Sequence, residues 1–474
     1  MNIPLSDYTG TLPILALTAL SLAVLTVAAV SRKSGKTCFN LSVIGVLACI
    51  GVSLSTFDLN GTAFNGMVMV GGYASYFETL FLIAALLTIL LSRSYLEEED
   101  VHHGEYYLLI LFATIGMMMM AAGLDLIITF LGLELMSICL YTLAGYFRKR
   151  AKSNESALKY FLLGAFATGF FLYGIALVYG ASGTTNLEMI ADQFETLSTV
   201  TMFWIGVGFL VIGFSFKVGA VPFHMWVPDV YEGSPTTVSA FMSTGAKAAG
   251  FAAFVLVTSH SIMDGGEKLS SIIAVLAAAS MILGNVVAIS QNNLKRLLAY
   301  SSIAHAGYML IGLAAGNALG RSGILYYLAV YTFMNIGAFG VLSVFEKQED
   351  RNLTFEDYGG LGFRRPYLAA LMSIFMFSLS GIPPFAGFFG KYYIFVSAVQ
   401  ADLVWLAIVG VLTSLVSVYY YLRLVVFMYF REGETVLTSR VSKLSILALT
   451  IAAAGVIHLG VFPSTVLELT EKLF

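Results

Sequence analysis

The sequence predicts an all-α polytopic membrane protein: about 14 transmembrane helices, two inverted five-helix repeats (helices 4–8 and 9–13), and breaks in helices 7 and 12. Three observations carry that reading. Of the 474 residues, 58% are hydrophobic and 11% charged, whereas a soluble domain carries about 25% charged residues. Apolar runs, most of them long enough to cross ~30 Å of hydrocarbon, recur from one end of the chain to the other. Two of the longer runs share an interruption by Gly and Pro, which a membrane helix tolerates only where protein or water covers the freed backbone.

The apolar segments lie near 11–30, 38–57, 72–92, 106–122, 124–147, 157–180, 200–228, 237–260, 270–290, 298–316, 323–345, 367–395, 402–429 and 444–462. No Lys or Arg precedes the first, and Arg32, Lys33 and Lys36 follow it. It therefore reads as a retained span with its N-terminus outside, not a cleaved signal. The third carries Glu78, a buried carboxylate with no assigned role. After it, Glu97–Asp100 with His102 and His103 reads as a solvated loop, not a metal site. The "MMMM" at 117–120 in the fourth is packing or lipid contact. In the sixth, Glu155 and Lys159 have the favourable i, i+4 order for a local pair, and a link from Lys159 into the polar interior is the alternative. Arg423, near the inner end of the thirteenth, snorkels to the interface.

Charge placement sets the orientation. With the N-terminus outside, 17 of the 25 Lys and Arg residues fall in inside loops, among them Arg148, Lys149, Arg150, Lys152, Arg364 and Arg365. Lys268, Arg321 and Lys472 fall outside. The positive-inside rule supports this arrangement, and fourteen spans put both termini outside.

The seventh segment contains "FSFKVGAVPF" and the twelfth "FSLSGIPPFAGFFGK". In each, Phe-Ser is followed by Gly and then Pro-Phe. Proline removes a backbone hydrogen bond and clashes with the preceding turn, so both helices are expected to break near Pro222 and near Pro383–Pro384. The two lie five segments apart, so they cross the membrane in opposite directions, the mark of an inverted repeat. The expected units are 1–105 (helices 1–3), 106–260 (first repeat), 261–430 (second repeat) and 431–474 (helix 14).

Few ionisable groups lie inside the spans. A charge at the bilayer centre costs ~2.5–3.5 kcal/mol on insertion scales. Glu134, Lys217, Lys247, His305 and Lys391 are all placed there by the sequence. Glu134 and Lys217 read either as a pair whose movement controls the lysine's proton or as a structural salt bridge. Lys247 has no carboxylate in its own segment, so desolvation makes it the more easily deprotonated lysine. His305, among Ser and Tyr hydroxyls, reads as a relay or as a satisfied core residue. His224, in "PFHMWVPDVYEGSP", is a candidate inlet just past the break, or part of a packed loop. Asp229 and Glu232 in the same stretch read as caps or ion-pair partners.

Other classes find no support in the sequence. There is no P-loop and no GxGxxG after a strand pattern, which argues against nucleotide binding. Cys38, Cys49 and Cys139 lie in apolar segments without CxxC spacing, so they read as small buried residues. No cofactor, metal or nucleic-acid site is expected on this chain.

The stretches "LGLELMSICLYTLAGYFRKR", "FSFKVGAVPFHMWVPDVYEGSPTTVSAFMSTGAKAAGF", "NLKRLLAYSSIAHAGYML" and "GIPPFAGFFGKYYIF" together resemble the antiporter-like subunits of respiratory complex I, across essentially all fourteen segments. "PDVYEGSPTTVSAFMSTGAK" and an end soon after segment 14 are similar to the N-type members. The resemblance implies a proton-translocating subunit of a bacterial inner-membrane NADH:quinone oxidoreductase, with two half-channels joined along a polar axis. It implies that Glu134 and Lys217 are the paired switch, Lys247 the central carrier, His305 its continuation and Lys391 the terminal lysine. It further implies M-like and K-like neighbours, and NADH, FMN, iron–sulfur clusters and quinone held by other subunits. An Mrp-type cation/proton antiporter and a non-translocating membrane scaffold are the alternatives. The two repeats are not equivalent: His305 stands where the first has Glu134, and Lys391 follows its prolines where Lys217 precedes Pro222.

Overall fold

All fourteen segments form helix. The computed structural model describes residues 4–31, 34–261, 266–346, 353–433 and 441–473; Arg32, Lys33, Lys347, Arg351 and Arg440, which the sequence reading assigns to inside loops, lie outside the described residues. The spans are α1 (Leu12–Val30), α2 (Gly35–Ser55), α3 (Gly72–Glu98), α4 (Gly104–Ala122), α5 (Leu126–Ala144) and α6 (Ala151–Ser182). Next come α7 in two halves (Thr201–Val218 and Trp226–Gly233), α8 (Thr236–His260), α9 (Lys268–Ile289), α10 (Leu294–Ala315) and α11 (Ala318–Phe345). The chain continues with α12, also in two halves (Pro366–Ser380 and Ala386–Gln400), α13 (Val404–Phe430) and α14 (Lys443–Val461). Among the described residues, 13 helices are long and apolar enough to cross a membrane, and Pro366–Ser380 is a shorter apolar helix.

Helices apolar on every side give no clue to which lies in the middle; the fold decides it. The apolar stretch of α8 is entirely buried, and α10, α11 and α3 are nearly so, whereas in α1, α6 and α13 only about a third or less is buried. Phe166 of α6 and Leu415 of α13 are each 69% exposed, as expected of side chains that meet lipid. Small residues let backbones approach: a Cβ on Gly116 of α4 would lie 2.5 Å from the carbonyl oxygen of Gly132 of α5. Close packing of this kind is how membrane helices associate without a hydrophobic drive between them.

The seventh and twelfth segments are both interrupted, and by one backbone device. After Val218, Gly219 takes φ 76° and the Ala220 amide donates to the Ser215 carbonyl at 2.8 Å. After Ser380, Gly381 takes φ 83° and the Ile382 amide donates to the Phe377 carbonyl at 3.1 Å. These are glycine-terminated helix ends, for which left-handed glycine is the cheapest residue. A cis peptide follows in each, at Val221–Pro222 and at Pro383–Pro384. In chain order the first half of α7 ends earlier than the apolar run suggests, because Gly219 rather than Pro222 stops it.

Two features have no counterpart in the sequence reading. A two-stranded hairpin, β1 (Asn60–Ala63) and β2 (Val68–Gly71), joins α2 to α3. Its turn holds Phe64, Asn65 and Gly66 at positive φ, and the Asn-Gly pair is a known turn signal. Within α8, Met242–Ala246 forms a π turn that ends at Lys247. Such single turns recur at functional sites.

Candidate functional site

Lys217 lies in the last turn of the first half of α7 and is 6% exposed. Its Nζ donates to Ser137 Oγ of α5 at 2.6 Å and lies 5.9 Å from the ring centres of both Tyr141 and Tyr160. Glu134 sits one turn before Ser137 on α5 and accepts from Thr168 Oγ1 of α6 at 2.8 Å. The two charges therefore lie on facing helices without a direct ion pair. Ser137 takes the ammonium and Thr168 takes the carboxylate. The hydroxyl partners were not anticipated, since serine and threonine are too common in membrane helices to stand out.

Lys247 is 2% exposed and directly follows the π turn. Its Nζ donates to the Ser302 carbonyl of α10 at 2.6 Å and also to Ser302 Oγ, and it lies 5.8 Å from the Tyr331 ring centre of α11. No carboxylate is among these partners. One turn after Ser302 comes His305, 1% exposed. Its Nδ1 lies 2.6 Å from Tyr327 Oη and its Nε2 3.0 Å from Tyr421 Oη. Tyr421 of α13 is in turn bonded to Ser301 Oγ. A neutral imidazole donates through one nitrogen and accepts through the other, so each tyrosine is either donor or acceptor according to the tautomer.

Lys391 closes the series. It follows the α12 break in sequence, yet its Nζ reaches back to the end of the preceding half-helix, donating to the carbonyls of Leu379 at 3.0 Å and Ser380 at 3.1 Å. It also donates to Ser414 Oγ of α13 at 2.9 Å and lies 5.0 Å from the Tyr308 ring centre. Helix C-termini carry unpaired carbonyls and partial negative charge, which suits an ammonium. Lys217, in the last turn of its own half-helix, occupies the comparable place. Lys391 bonds the carbonyls of its broken end, whereas Lys217 lies beside such an end and bonds Ser137.

His224 lies in the segment joining the halves of α7. Its Nδ1 is buried and has no hydrogen-bond partner among the described residues. Lys159 sits at the loop end of α6 and is 40% exposed. It pairs with Glu155 Oε1 at 2.7 Å and with Asp229 Oδ2 at 2.7 Å, so it makes both the local pair and a link to the second half of α7. Arg296 joins the same network through Asp229 at 2.8 Å and Glu232 at 3.0 Å. Arg423 stacks 4.1 Å from the Phe355 ring centre and donates to Asn292 Oδ1 at 3.3 Å.

Glu78 is 4% exposed, beside a hydroxyl cluster in which Ser53 Oγ lies 3.0 Å from Thr79 Oγ1. The three cysteines are free and buried. Among the described residues no group of three or more His, Cys, Asp or Glu side chains is arranged to hold a metal ion.

Lys295 is the residue the sequence misplaced most. Next to Arg296 and at a span's start it looks like a loop cation, yet it is fully buried. Its Nζ donates to the Ser234 carbonyl at 2.7 Å and lies 3.5 Å from Glu346 Oε1.

Residues 123–417 match the family described as NADH:quinone oxidoreductase/Mrp antiporter, TM, a stretch that includes Glu134, Lys217, Lys247, His305 and Lys391. The chain is 48% identical over 462 residues to the NADH-quinone oxidoreductase subunit N of Trichlorobacter lovleyi, covering 97% of this chain and 95% of that one. It is 49% identical over 425 residues to the protein of the same name from Salinibacter ruber, covering 87% and 85%. Among solved structures it is similar to a chain of respiratory complex I from Thermus thermophilus with bound aureothin (TM-score 0.84, 36% identity, 96% of this chain and 98% of that one). A chain of the Mrp complex from Dietzia sp. shares the fold at a TM-score of 0.87 and 18% identity, covering 98% of this chain and 96% of that one.

Proposed function

The chain belongs to the subunit N family of NADH-quinone oxidoreductases, and from that premise we propose that it carries protons along the buried polar axis from Glu134 and Lys217 through Lys247 and His305 to Lys391. One observation carries the assignment of roles. Lys217, Lys247 and Lys391 are each at least nine-tenths buried, and their direct partners are hydroxyls and carbonyls, with no carboxylate in contact. An amine held only by hydroxyls and carbonyls can lose its proton without stranding a buried carboxylate partner. Moving one charge against 100 mV requires ~2.3 kcal/mol, and a shift of one pKa unit corresponds to ~1.4 kcal/mol. Rearrangement of a nearby charge supplies changes of that size.

Glu134 is the group placed to make that change for Lys217, acting through Ser137 and the α5 turn they share. His305 with Tyr327 and Tyr421 offers the relay between the lysines of α8 and α12. The shared backbone of the two breaks supports reading α4–α8 and α9–α13 as inverted repeats, with both chain ends outside a bacterial inner membrane. NADH, FMN, iron–sulfur and quinone chemistry then belongs to other subunits of the complex, and M-like and K-like subunits are the expected neighbours. His224 and Lys159, at the loop side, are the inlet candidates that the sequence suggested.

The test is proton uptake into vesicles by the assembled complex, driven by NADH and normalised to assembled protein. Lys247→Met is expected to abolish most of this chain's contribution while the complex still assembles. Full pumping by that variant would favour the scaffold reading instead, in which the buried charges only hold helices together.

A further inference from the structure

Glu346 ends α11 at the loop side of the bundle, with its side chain 1% exposed. One carboxylate oxygen, Oε2, accepts from Tyr95 Oη at 2.7 Å and from Thr236 Oγ1 at 2.5 Å. The other, Oε1, accepts no hydrogen bond among the described residues. Lys295 Nζ is 3.5 Å from it but is bonded to the Ser234 carbonyl, and Arg150 is 3.8 Å from it but lies 2.7 Å from Glu99. Tyr358 is a further titratable side chain close enough to feel the Glu346 charge. A carboxylate at this depth is costly unless fully bonded, and in a transport protein it marks a pathway by default.

What lies beyond it follows from helix register. α8 and α11 run antiparallel, and three cross-contacts fix their alignment: Thr236 with Glu346, Ser243 with Asn335, and Lys247 with Tyr331. The Ser243–Asn335 contact is a 2.7 Å hydrogen bond from the amide nitrogen to the hydroxyl, and that nitrogen lies 3.0 Å from Tyr331 Oη. Asn335 Oδ1 is buried and has no hydrogen-bond partner among the described residues. Between the first two contacts Ser239 and Ser343 lie near the intervening level; both are buried, Ser239 Oγ donating to the Tyr231 carbonyl at 2.8 Å and Ser343 Oγ to the Gly340 carbonyl at 2.8 Å. The α8–α11 seam thus carries polar side chains at its Glu346 end, at the Ser243–Asn335 crossing and at its Lys247 end.

We infer that Glu346 is the proton-accepting head of a seam between α8 and α11 that reloads Lys247 from the loop side. The inference rests on Lys247 being a proton carrier. Glu346 takes a proton on Oε1 and returns to the carboxylate as it gives that proton on. Each hydroxyl or ordered water in the seam accepts one proton and releases its own, and the neutral amine of Lys247 becomes the ammonium. No other atom changes partner. Thr236 to Ser243 spans about 10 Å of helix, so water must complete the line between the serines, and the unpaired Asn335 Oδ1 is the natural acceptor for one such molecule.

The experiment compares protons moved per NADH oxidised in vesicles containing the assembled complex with Glu346→Gln, Ser243→Ala combined with Asn335→Leu, Glu346→Asp and Lys247→Met. Glu346→Gln and the seam double variant are expected to lower the ratio to that of Lys247→Met, and Glu346→Asp to restore most of it. The double variant leaves the Arg150 and Lys295 ion pairs intact, so it stays informative even where Glu346→Gln assembles poorly. A normal ratio in the double variant together with a low one in Lys247→Met would overturn the seam. A normal ratio in Lys247→Met would instead overturn the reading on which it rests.

Discussion

Nε2 of His305 lies 3.0 Å from the hydroxyl of Tyr421, joining α10 to α13. With Tyr327 on the other nitrogen, the imidazole has a hydroxyl at each end. Tyr421→Phe keeps the ring's packing and removes only that hydroxyl. It is expected to slow NADH-driven proton uptake severalfold, with assembly unchanged, and a measurement of uptake rate against assembled protein checks it. An unchanged rate would show that proton transfer bypasses Nε2.

Lys247→Arg retains positive charge, but guanidinium does not release its proton at usable pH. The variant is expected to assemble and to fail in pumping as Lys247→Met does. Vesicle proton uptake, again per assembled complex, separates the roles. Full pumping by Lys247→Arg would mean that charge alone matters.

Ser137 lies one turn from Glu134 on α5 and accepts from the Lys217 ammonium. Ser137→Ala removes the acceptor that holds the ammonium and leaves both charges in place. Loss of one hydrogen bond to a charged group is worth about 1.5–3 kcal/mol, enough to alter uptake by tenfold or more. The expected result is a drop close to that of Glu134→Gln, and little extra loss in the double variant, because both act on Lys217. Independent, multiplicative losses would refute the link through Ser137.

Gly381 has φ 83°, and a Cβ there would lie 3.1 Å from Cδ of Lys391. Gly381→Ala therefore meets backbone strain of about 1–2 kcal/mol and presses on the lysine. The prediction is a lower melting temperature for the complex together with reduced pumping. A variant with wild-type stability and pumping would show that the end of the half-helix does not need glycine.

The sequence announced the buried lysines, Glu134 and His305 because ionisable groups inside apolar runs are costly and therefore rare. It announced the breaks because proline cannot continue a helix. Their partners were unreadable. Ser137, Thr168, Ser302, Ser414 and Tyr421 belong to residue types that occur throughout the spans, and only the rotation of each helix selects them. That rotation is not encoded in periodicity when a helix is apolar on all sides. Lys295 and Glu346 were hidden for a different reason: each sits at a span's end, where a charge ordinarily reaches water. The Asn65–Gly66 turn is a legible signal, masked because the short strands beside it lie between two much stronger apolar runs.

The π turn at Met242–Ala246 gives α8 one residue more than a regular helix would place there. A helix with a surplus residue is like a screw with a spare fraction of a thread. Since each residue turns an α-helix by about 100°, absorbing or passing on the surplus swings everything beyond it by a fixed step, while Thr236–Phe241 stays anchored. Lys247 is the first residue past that joint. Its ammonium is aimed by the local winding of the backbone, so a change of winding, with no movement of the helix as a whole, is sufficient to turn it from Ser302 to a different set of neighbours.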